Sequence, residues 1–134
     1  MMSGDKSLVV FDSEQGGWVN GKVVSGNGPI VSGNLLLLKP DAIFYAADKN
    51  GNKFDFSKYK SVYIEFVNYY NLSATNITSD ITLRRSLSTS SDSMITGFFH
   101  YKTLTYAGNI DVKEQGYISF RSHPGIAVKK MMFT

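Results

Sequence analysis

The sequence predicts an all-β protein folded as an antiparallel two-sheet β-sandwich, and three features predict this class. Eight Tyr and nine Phe raise the aromatic content to 13%, and aromatic side chains pack well on a pleated sheet. Gly and Asn recur at short intervals, as in Asn20-Gly21 and Asn50-Gly51, and Asn-Gly supplies the positive φ angles of tight hairpins. The segments between these breaks alternate with period two or form short apolar runs, as in sandwiches.

Ten strands are predicted in one domain that spans residues 1–134, since a chain of this length can fold around one core. They are Leu8–Asp12, Trp18–Val24, Ile30–Leu38, Ala42–Ala46, Val62–Val67, Ile81–Ser86, Met94–Lys102, Thr105–Val112, Tyr117–Arg121 and Ile126–Phe133. The polar stretch at residues 86–93 is predicted to be an exposed loop.

Two of these strands predict which side chains face the core. In Val62–Val67 the apolar residues Val62, Ile64 and Phe66 share one face, which places Tyr63 and Glu65 on the other. In the last strand the alternation breaks at Lys129-Lys130. A β-bulge at this point would return the following residues to the inner face.

The charge and cysteine content argue against several classes of function. The net charge is +3, from 14 basic and 11 acidic residues spread along the chain, whereas nucleic-acid binders concentrate Lys and Arg in a stripe. The absence of Cys excludes disulfides, thiolate nucleophiles and Cys-ligated metals. No apolar stretch approaches the length of a signal peptide or a membrane span. We therefore expect no nucleic-acid partner and no membrane insertion.

The common catalytic signatures are absent from the sequence, and we expect a protein that is not an enzyme and holds no cofactor. Neither a Gly-x-Ser-x-Gly motif nor a phosphate-binding loop occurs. His100 and His123 have no evident metal or triad partners. Glu65 is the most suggestive single acid for glycoside hydrolysis, but the sequence supplies no evident second carboxylate.

The segment Asp48–Asp55 places oxygen-bearing side chains around Gly51 in the manner of a calcium loop. It lacks the terminal bidentate Glu of such loops. An Asn-Gly hairpin with polar flanks explains the same residues without an ion, and the sequence leaves the two interpretations open.

Three parts of the chain carry a resemblance to known families. The segment Asp55–Phe66, with an Asp, an apolar residue, a Ser and an aromatic before a core strand, resembles jelly-roll carbohydrate-binding modules and β-sandwich modules of bacteriophage tail proteins. Gly116–Phe120 followed by Gly125–Met131 resembles the closing hairpin of the same modules, and the opening strands of Phe11–Val24 resemble those of phage tail adhesins. The resemblance covers about half of the chain and implies a jelly-roll-like recognition domain.

If the domain binds a sugar, aromatic rings and neighbouring polar groups are the expected contacts, because a sugar lays its apolar face on a ring. Tyr63 and Glu65 should project outward roughly 6–7 Å apart along their strand, and Tyr63→Ala is then expected to abolish glycan binding. The candidate ligand-binding residues are Tyr63, Glu65, Tyr69, Tyr101, Arg84 and Trp18, although a lone Trp at the start of a strand also suits a core position.

These observations favour a non-catalytic recognition module of a virion or of an extracellular modular protein, with a cell-surface glycan as its ligand and homo-oligomers as an open possibility. The alternative is a structural virion sandwich that self-associates without a small-molecule ligand. That alternative predicts a contiguous apolar patch on the surface of the isolated domain.

Overall fold

The computed structural model describes residues 7–25, 30–71, 77–87, 95–111 and 113–134. Strands hold 63% of these residues, and their helical content is one turn of 3₁₀ helix at Phe56–Lys58. The prediction of an all-β two-sheet sandwich is confirmed. The predicted loop at 86–93 and the predicted strand ends at Met94 and Val112 lie wholly or partly outside the described residues.

Twelve strands make up the described fold, and they form two sheets of six strands each. In chain order they are β1 (Ser7–Asp12), β2 (Gly17–Ser25), β3 (Ile30–Ser32), β4 (Leu35–Leu37), β5 (Ile43–Ala47), β6 (Phe54–Asp55), β7 (Ser61–Val67), β8 (Thr78–Arg84), β9 (Ile95–His100), β10 (Thr105–Ile110), β11 (Gln115–His123) and β12 (Ala127–Phe133).

The first sheet has the order β2-β1-β5-β11, and β11 pairs in addition with β6 and β8. The second sheet has the order β3-β4-β12-β7-β10-β9. The strand pairs are antiparallel except for β1 and β5, which run parallel. This parallel pair departs from the wholly antiparallel arrangement expected from the sequence, because after β2 the chain passes through β3 and β4 of the second sheet before β5 returns beside β1.

The core lies between the inner faces of the two sheets. Phe11 and Phe120 of the first sheet contribute to the same cluster as Ile64 and Phe66 of the second. Val62, Ile64 and Phe66 are 1%, 0% and 4% exposed, so the predicted inward face of β7 is confirmed.

A bulge in β12 is also confirmed. Val128 pairs with Phe66, and the next paired residue, Lys130, faces Glu65 across a shift in register. The extra residue, Lys129, is exposed. Met131 is fully buried as a result, because the bulge restores the inward alternation.

Two sequence-based expectations for the elements are wrong, and one short strand was not predicted. The predicted strand Ile30–Leu38 is a hairpin, with β3 and β4 joined by a turn at Gly33, whose φ is 59°. Strand β6 was not predicted, since two residues carry no periodicity. The expected closing hairpin does not form, because β11 lies in the first sheet and β12 in the second.

The strand directions give the sandwich two distinct ends. The cleft end holds the turns at 13–16 and 48–53 and the start of β11. The tyrosine end holds residues 68–71, which follow β7, and the turn at 101–104 between β9 and β10. Strands β7 and β10 are paired, and Phe66 N–H at the end of β7 donates to the carbonyl of Leu104 just before β10 (2.8 Å). This pairing brings the two segments close together.

Candidate functional site

A cleft of about 700 Å³ opens at the cleft end of the sandwich. This volume lies within the range usual for small-ligand sites. The turn after β1, the turn after β5, the 3₁₀ turn and the start of β11 each supply part of its wall. The lining residues are Asp12, Ser13, Glu14, Asp48, Lys49, Asn50, Asn52, Lys53, Phe54, Asp55, Lys58, Tyr59, Gln115 and Tyr117.

Three aspartates of this lining are fixed by backbone N–H groups. Oδ1 of Asp12 accepts from the N–H groups of residues 14 and 15 at 3.0 and 3.3 Å. Oδ1 of Asp48 accepts from those of residues 50 and 52 at 2.9 and 2.8 Å, and Oδ1 of Asp55 accepts from that of residue 57 at 3.1 Å. Each carboxylate thus has a set orientation, and its second oxygen retains acceptor capacity for a ligand.

Two tyrosine rings give the cleft its apolar surface. Tyr59 packs on Phe133 with ring centroids 5.0 Å apart. Tyr117 meets Tyr45 edge to face at 6.3 Å. Both Tyr59 and Tyr117 are half-buried, so each ring is held by the protein on one side and open on another. Rings held in this way are suitable surfaces for the apolar face of a ligand.

The charges of the cleft are of both signs. Hydrogen bonds from Ser57 hold the pKa of Asp55 below its usual range, so this carboxylate stays ionised at neutral pH. Burial raises the pKa of the Tyr117 phenol, and the nearby Asp48 carboxylate raises it further. The hydroxyl therefore stays protonated and can donate a hydrogen bond. Lys49 Nζ lies 3.7 Å from Glu14 Oε2. This mixture suits a neutral polar ligand better than a strongly charged one.

The Asp48–Asp55 segment is a hairpin turn closed by its own backbone. Asp48 N–H donates to the Asn52 carbonyl (2.8 Å), and Gly51 N–H donates to the Asp48 carbonyl (2.9 Å). Gly51 has φ 83°, which favours glycine. Among the described residues no group of three or more His, Cys, Asp or Glu could hold a metal ion. The hydrogen bonds of the turn explain the Asp, Asn and Gly residues of this segment without an ion.

Tyr63 and Glu65 project from the outer face of β7, as the sequence predicted. Both are half-buried. Burial raises the pKa of the Tyr63 phenol, and its hydrogen bond to the Glu65 carboxylate raises it further. The two side chains therefore contact each other on an open sheet face, away from the cleft. Whether they hold a ligand stays a prediction.

Tyr69 and Tyr101 lie at the tyrosine end, where they are 50% and 51% exposed. Tyr69 contacts Tyr70 edge to face, with ring centroids 5.4 Å apart. Tyr70 in turn lines a hollow of about 200 Å³ with Pro40 and Gly125. These tyrosines belong to the opposite end of the molecule from the cleft.

Arg84 and Trp18 are separated from the other candidates. Arg84 belongs to β8 of the first sheet, where its Nε donates to Ser119 Oγ (2.9 Å) and its guanidinium lies 5.9 Å from the Tyr45 ring. Trp18 is a core residue, 6% exposed, whose Nε1 donates to the Val128 carbonyl (3.3 Å). Its ring packs 4.9 Å from Phe11 and so offers no surface to a ligand. The six candidates thus do not form one site.

The cleft tyrosines were missed by the sequence reasoning. Tyr59 follows a short turn, and Tyr117 is the first residue of a predicted strand. Neither position indicates from the sequence alone that the side chain faces a cleft. A usable signal was present in the three aspartates, because Asp12, Asp48 and Asp55 each begin a turn rich in Gly, Asn or Ser. Such aspartates cap turns, and turns from neighbouring strands meet at one end of a sandwich.

Comparison with protein-family models, curated proteins and solved structures found no match to this chain. In the described ranges no helix is long and apolar enough to cross a membrane. The fold and the cleft define the class of protein as a two-sheet β-sandwich with an open polar cleft at one end.

Proposed function

We propose that this protein is a non-catalytic recognition module that binds carbohydrate in the cleft. The observation that carries this proposal is the combination of two half-exposed tyrosine rings with oriented carboxylates in one concavity of about 700 Å³. Sugar binding requires an apolar platform and a few fixed hydrogen-bonding groups around it. Tyr59 and Tyr117 supply the platform, and Asp48 and Asn52 supply polar groups from the opposite turn.

The electrostatics of the cleft favour binding over hydrolysis. Glycoside hydrolysis needs one carboxylic acid whose pKa is raised so that it can donate a proton to the leaving group. The pKa of Asp55 is shifted the other way, below its ordinary value. A carboxylate held ionised by two hydrogen bonds from Ser57 is an acceptor for sugar hydroxyls and a poor proton donor.

The resemblance to carbohydrate-binding and phage tail modules supports the same proposal. The residues that carry it, Asp55–Phe66, have clear physical roles: Asp55 caps the 3₁₀ turn through Ser57, Tyr59 lines the cleft, and Ile64 lies in the core. The segment thus connects the cleft to the central strand of the second sheet. We place the protein accordingly in a virion or an extracellular modular protein, with a cell-surface glycan as its ligand.

A glycan array followed by calorimetric titration of the best ligand tests the proposal. Asn52→Ala and Lys53→Ala remove exposed cleft side chains and leave the backbone hydrogen bonds of the turn in place. Each is expected to weaken binding by about tenfold, the loss typical of one or two ligand contacts. Melting temperatures of both variants should match the wild type.

Tyr63→Ala and Tyr101→Ala are the matched controls. Tyr63 lies on the sheet face and Tyr101 at the tyrosine end, so binding in the cleft predicts full affinity for both variants, whereas the sheet-face site predicted from the sequence requires that Tyr63→Ala abolish binding. Loss of binding in Tyr63→Ala with normal affinity in Asn52→Ala would move the site to the sheet face. An array with no bound glycan would contradict the proposal.

The self-association alternative is favoured by a different feature. Phe98 of β9 is 66% exposed, and it lies on the same sheet face as the partly exposed Met132 of β12. Apolar side chains exposed together on one face are typical of protein–protein contacts.

A further inference from the structure

We propose that the sandwich holds a second ligand site on its side, which binds a small acidic sugar through the carboxylate group of the sugar. On the side where β8 of the first sheet and β9 of the second are neighbours, a pocket of about 490 Å³ is lined mainly by β8, β9, β10 and β11. We call it the side pocket. None of its described lining residues also lines the cleft, so this site is separate from the cleft.

The phenol of Tyr106 is the observation that carries the proposal. Tyr106 lines the side pocket and is 5% exposed, and its hydroxyl has no hydrogen-bond partner among the described residues. Buried hydroxyls in native proteins are nearly always hydrogen-bonded, because an unpaired one has lost its contacts with water. A ligand oxygen in the side pocket would accept from this hydroxyl and supply the missing bond.

Gly97 of β9 gives a ligand access to this hydroxyl. Its neighbour on the same face, Phe99, packs on Phe66 in the core, so position 97 also belongs to the inner face. Gly97 is nevertheless exposed and lines the side pocket. A Cβ at this position would lie 2.2 Å from Tyr106 Oη, which places the hydroxyl directly beside the exposed glycine. Glycine within a strand often marks a place where a ligand approaches closely.

Two arginines give the side pocket its positive charge. Arg84 of β8 and Arg121 of β11 both line it. Nε of Arg84 donates to Ser119 Oγ (2.9 Å), which fixes the direction of this guanidinium. The side chain of Arg121 is 48% exposed, and its Nη2 lies 4.0 Å from Asp41 Oδ1. A guanidinium carries five N–H donors, so Arg121 has further donors for the carboxylate of a ligand.

Asp80 is the acidic residue in the described part of this lining. Its Oδ2 lies 3.1 Å from Nε2 of His123, a residue outside the side pocket, so the carboxylate already has a partner. Two arginines therefore outweigh one engaged carboxylate. The side pocket favours a negatively charged ligand, in contrast to the cleft, whose charges are mixed.

The rest of the lining indicates a ring-shaped ligand with hydroxyl groups. Ile81 is 8% exposed and Phe99 is half-buried, and together they give the side pocket an apolar wall for one face of a ring. Thr82, also half-buried, adds a hydroxyl beside Arg84. An inorganic anion would leave the apolar wall without a contact, and a neutral sugar would leave the arginines without one. An acidic sugar uses both.

Nuclear magnetic resonance titration of the full chain with glucuronate tests the proposal, with glucose as the uncharged control. Shift changes at the amides of Gly97, Thr82 and Arg121 report the side pocket, and those at residues 12–14 and 48–55 report the cleft separately. Glucuronate is expected to bind in the side pocket, and glucose at least about tenfold more weakly there, since it lacks the charged contact. Equal affinity of the two sugars for the side pocket, or glucuronate shifts absent from it, overturns the proposal whatever happens in the cleft.

Two variants test the named contacts. Tyr106→Phe removes the hydroxyl and keeps the ring, so it is expected to weaken glucuronate binding about threefold to tenfold without a lower melting temperature. Arg121→Gln is expected to weaken binding at least about tenfold. Tyr101→Phe and Arg85→Gln, at exposed positions outside the side pocket, are the matched controls and should bind like the wild type. Full affinity in Tyr106→Phe or Arg121→Gln, or an equal loss in Arg85→Gln, overturns the proposal.

Discussion

At the scale of single residues, Ile64 and Phe66 carry the contacts between the sheets. Ile64 is fully buried, and Phe66 packs on Phe99 and on Phe120 with centroids 5.3 and 6.4 Å apart. Ile64→Ala and Phe66→Ala should each lower the free energy of unfolding by about 2–5 kcal/mol, because truncation loses apolar burial and leaves a cavity. Urea denaturation measures this, with Tyr101→Ala as the exposed control. Losses below about 0.5 kcal/mol would contradict the assigned face.

Gly97 is a second residue whose identity the packing requires. A Cβ at this position would lie 2.2 Å from Oη of Tyr106. Tyr106 is buried, so its ring has little room to move. The same burial raises the pKa of Tyr106 to about 12. Gly97→Ala should therefore destabilise the fold by about 1–3 kcal/mol, as overpacking does.

Gly17→Ala is the matched control for this substitution. A Cβ at Gly17 would meet no atom within 4 Å, so thermal denaturation should show a change of less than about 0.5 kcal/mol. Equal effects of the two substitutions would mean that backbone freedom, and not the Tyr106 ring, explains the glycine at position 97.

Residue-level inference from the sequence succeeded where the signal is local. The alternation in β7 predicted which side chains point inward, and the break at Lys129-Lys130 predicted the bulge, because side-chain direction follows the chain itself. The exposed fraction of an aromatic side chain cannot be inferred from the neighbouring sequence in the same way. Tyr45 is fully buried on the outer face of the first sheet and Phe98 is 66% exposed on the second, although both belong to short apolar strands.

At the scale of elements, His123 links the end of β11 to β8 and to the turn before β5. Its Nδ1 lies 2.6 Å from Asp41 Oδ1 and its Nε2 lies 3.1 Å from Asp80 Oδ2. Arg121 Nη2 is 4.0 Å from the same Asp41 oxygen. Hydrogen bonding to Asp80 and then to Asp41 outweighs partial burial and raises the pKa of His123 above 6.5.

This arrangement predicts a dependence of stability on pH. Because the folded pKa exceeds the unfolded value of 6.5, the contribution of His123 is fully present below pH 6.5. It is lost as the pH rises through the folded pKa. The melting temperature should fall over that range in the wild type and should fall less in His123→Asn, as differential scanning calorimetry can measure. Parallel pH profiles would contradict a charged link between the elements.

Element prediction failed at two places for different reasons. Residues 30–38 carry a local turn signal at Gly33-Asn34, which the prediction of one continuous strand passed over, and Ile30 pairs back with Leu37. Strand β6 exists because Phe54 and Asp55 meet the start of β11. A pair so far apart in sequence leaves no periodic signal in either segment.

At the scale of the whole molecule, the cleft depends on strands that are distant in sequence and adjacent in space. The parallel pairing of β1 with β5 brings the turns that follow these strands to the same end. The pairing of β11 with β5 and β6 sets Tyr117 beside them. The sequence showed the three aspartate turns, but only this topology brings them together. This end of the sandwich is where we propose that the ligand binds.

Nuclear magnetic resonance titration with the glycan selected on the array tests whether the ligand binds in the cleft. Binding in the cleft predicts chemical-shift changes that cluster at residues 12–14, 48–55 and 115–117 and at the ring of Tyr59, with little change at Phe98 or at Tyr101. Shift changes centred on Tyr63 and the outer face of β7, or a spectrum that no selected glycan alters, would contradict it.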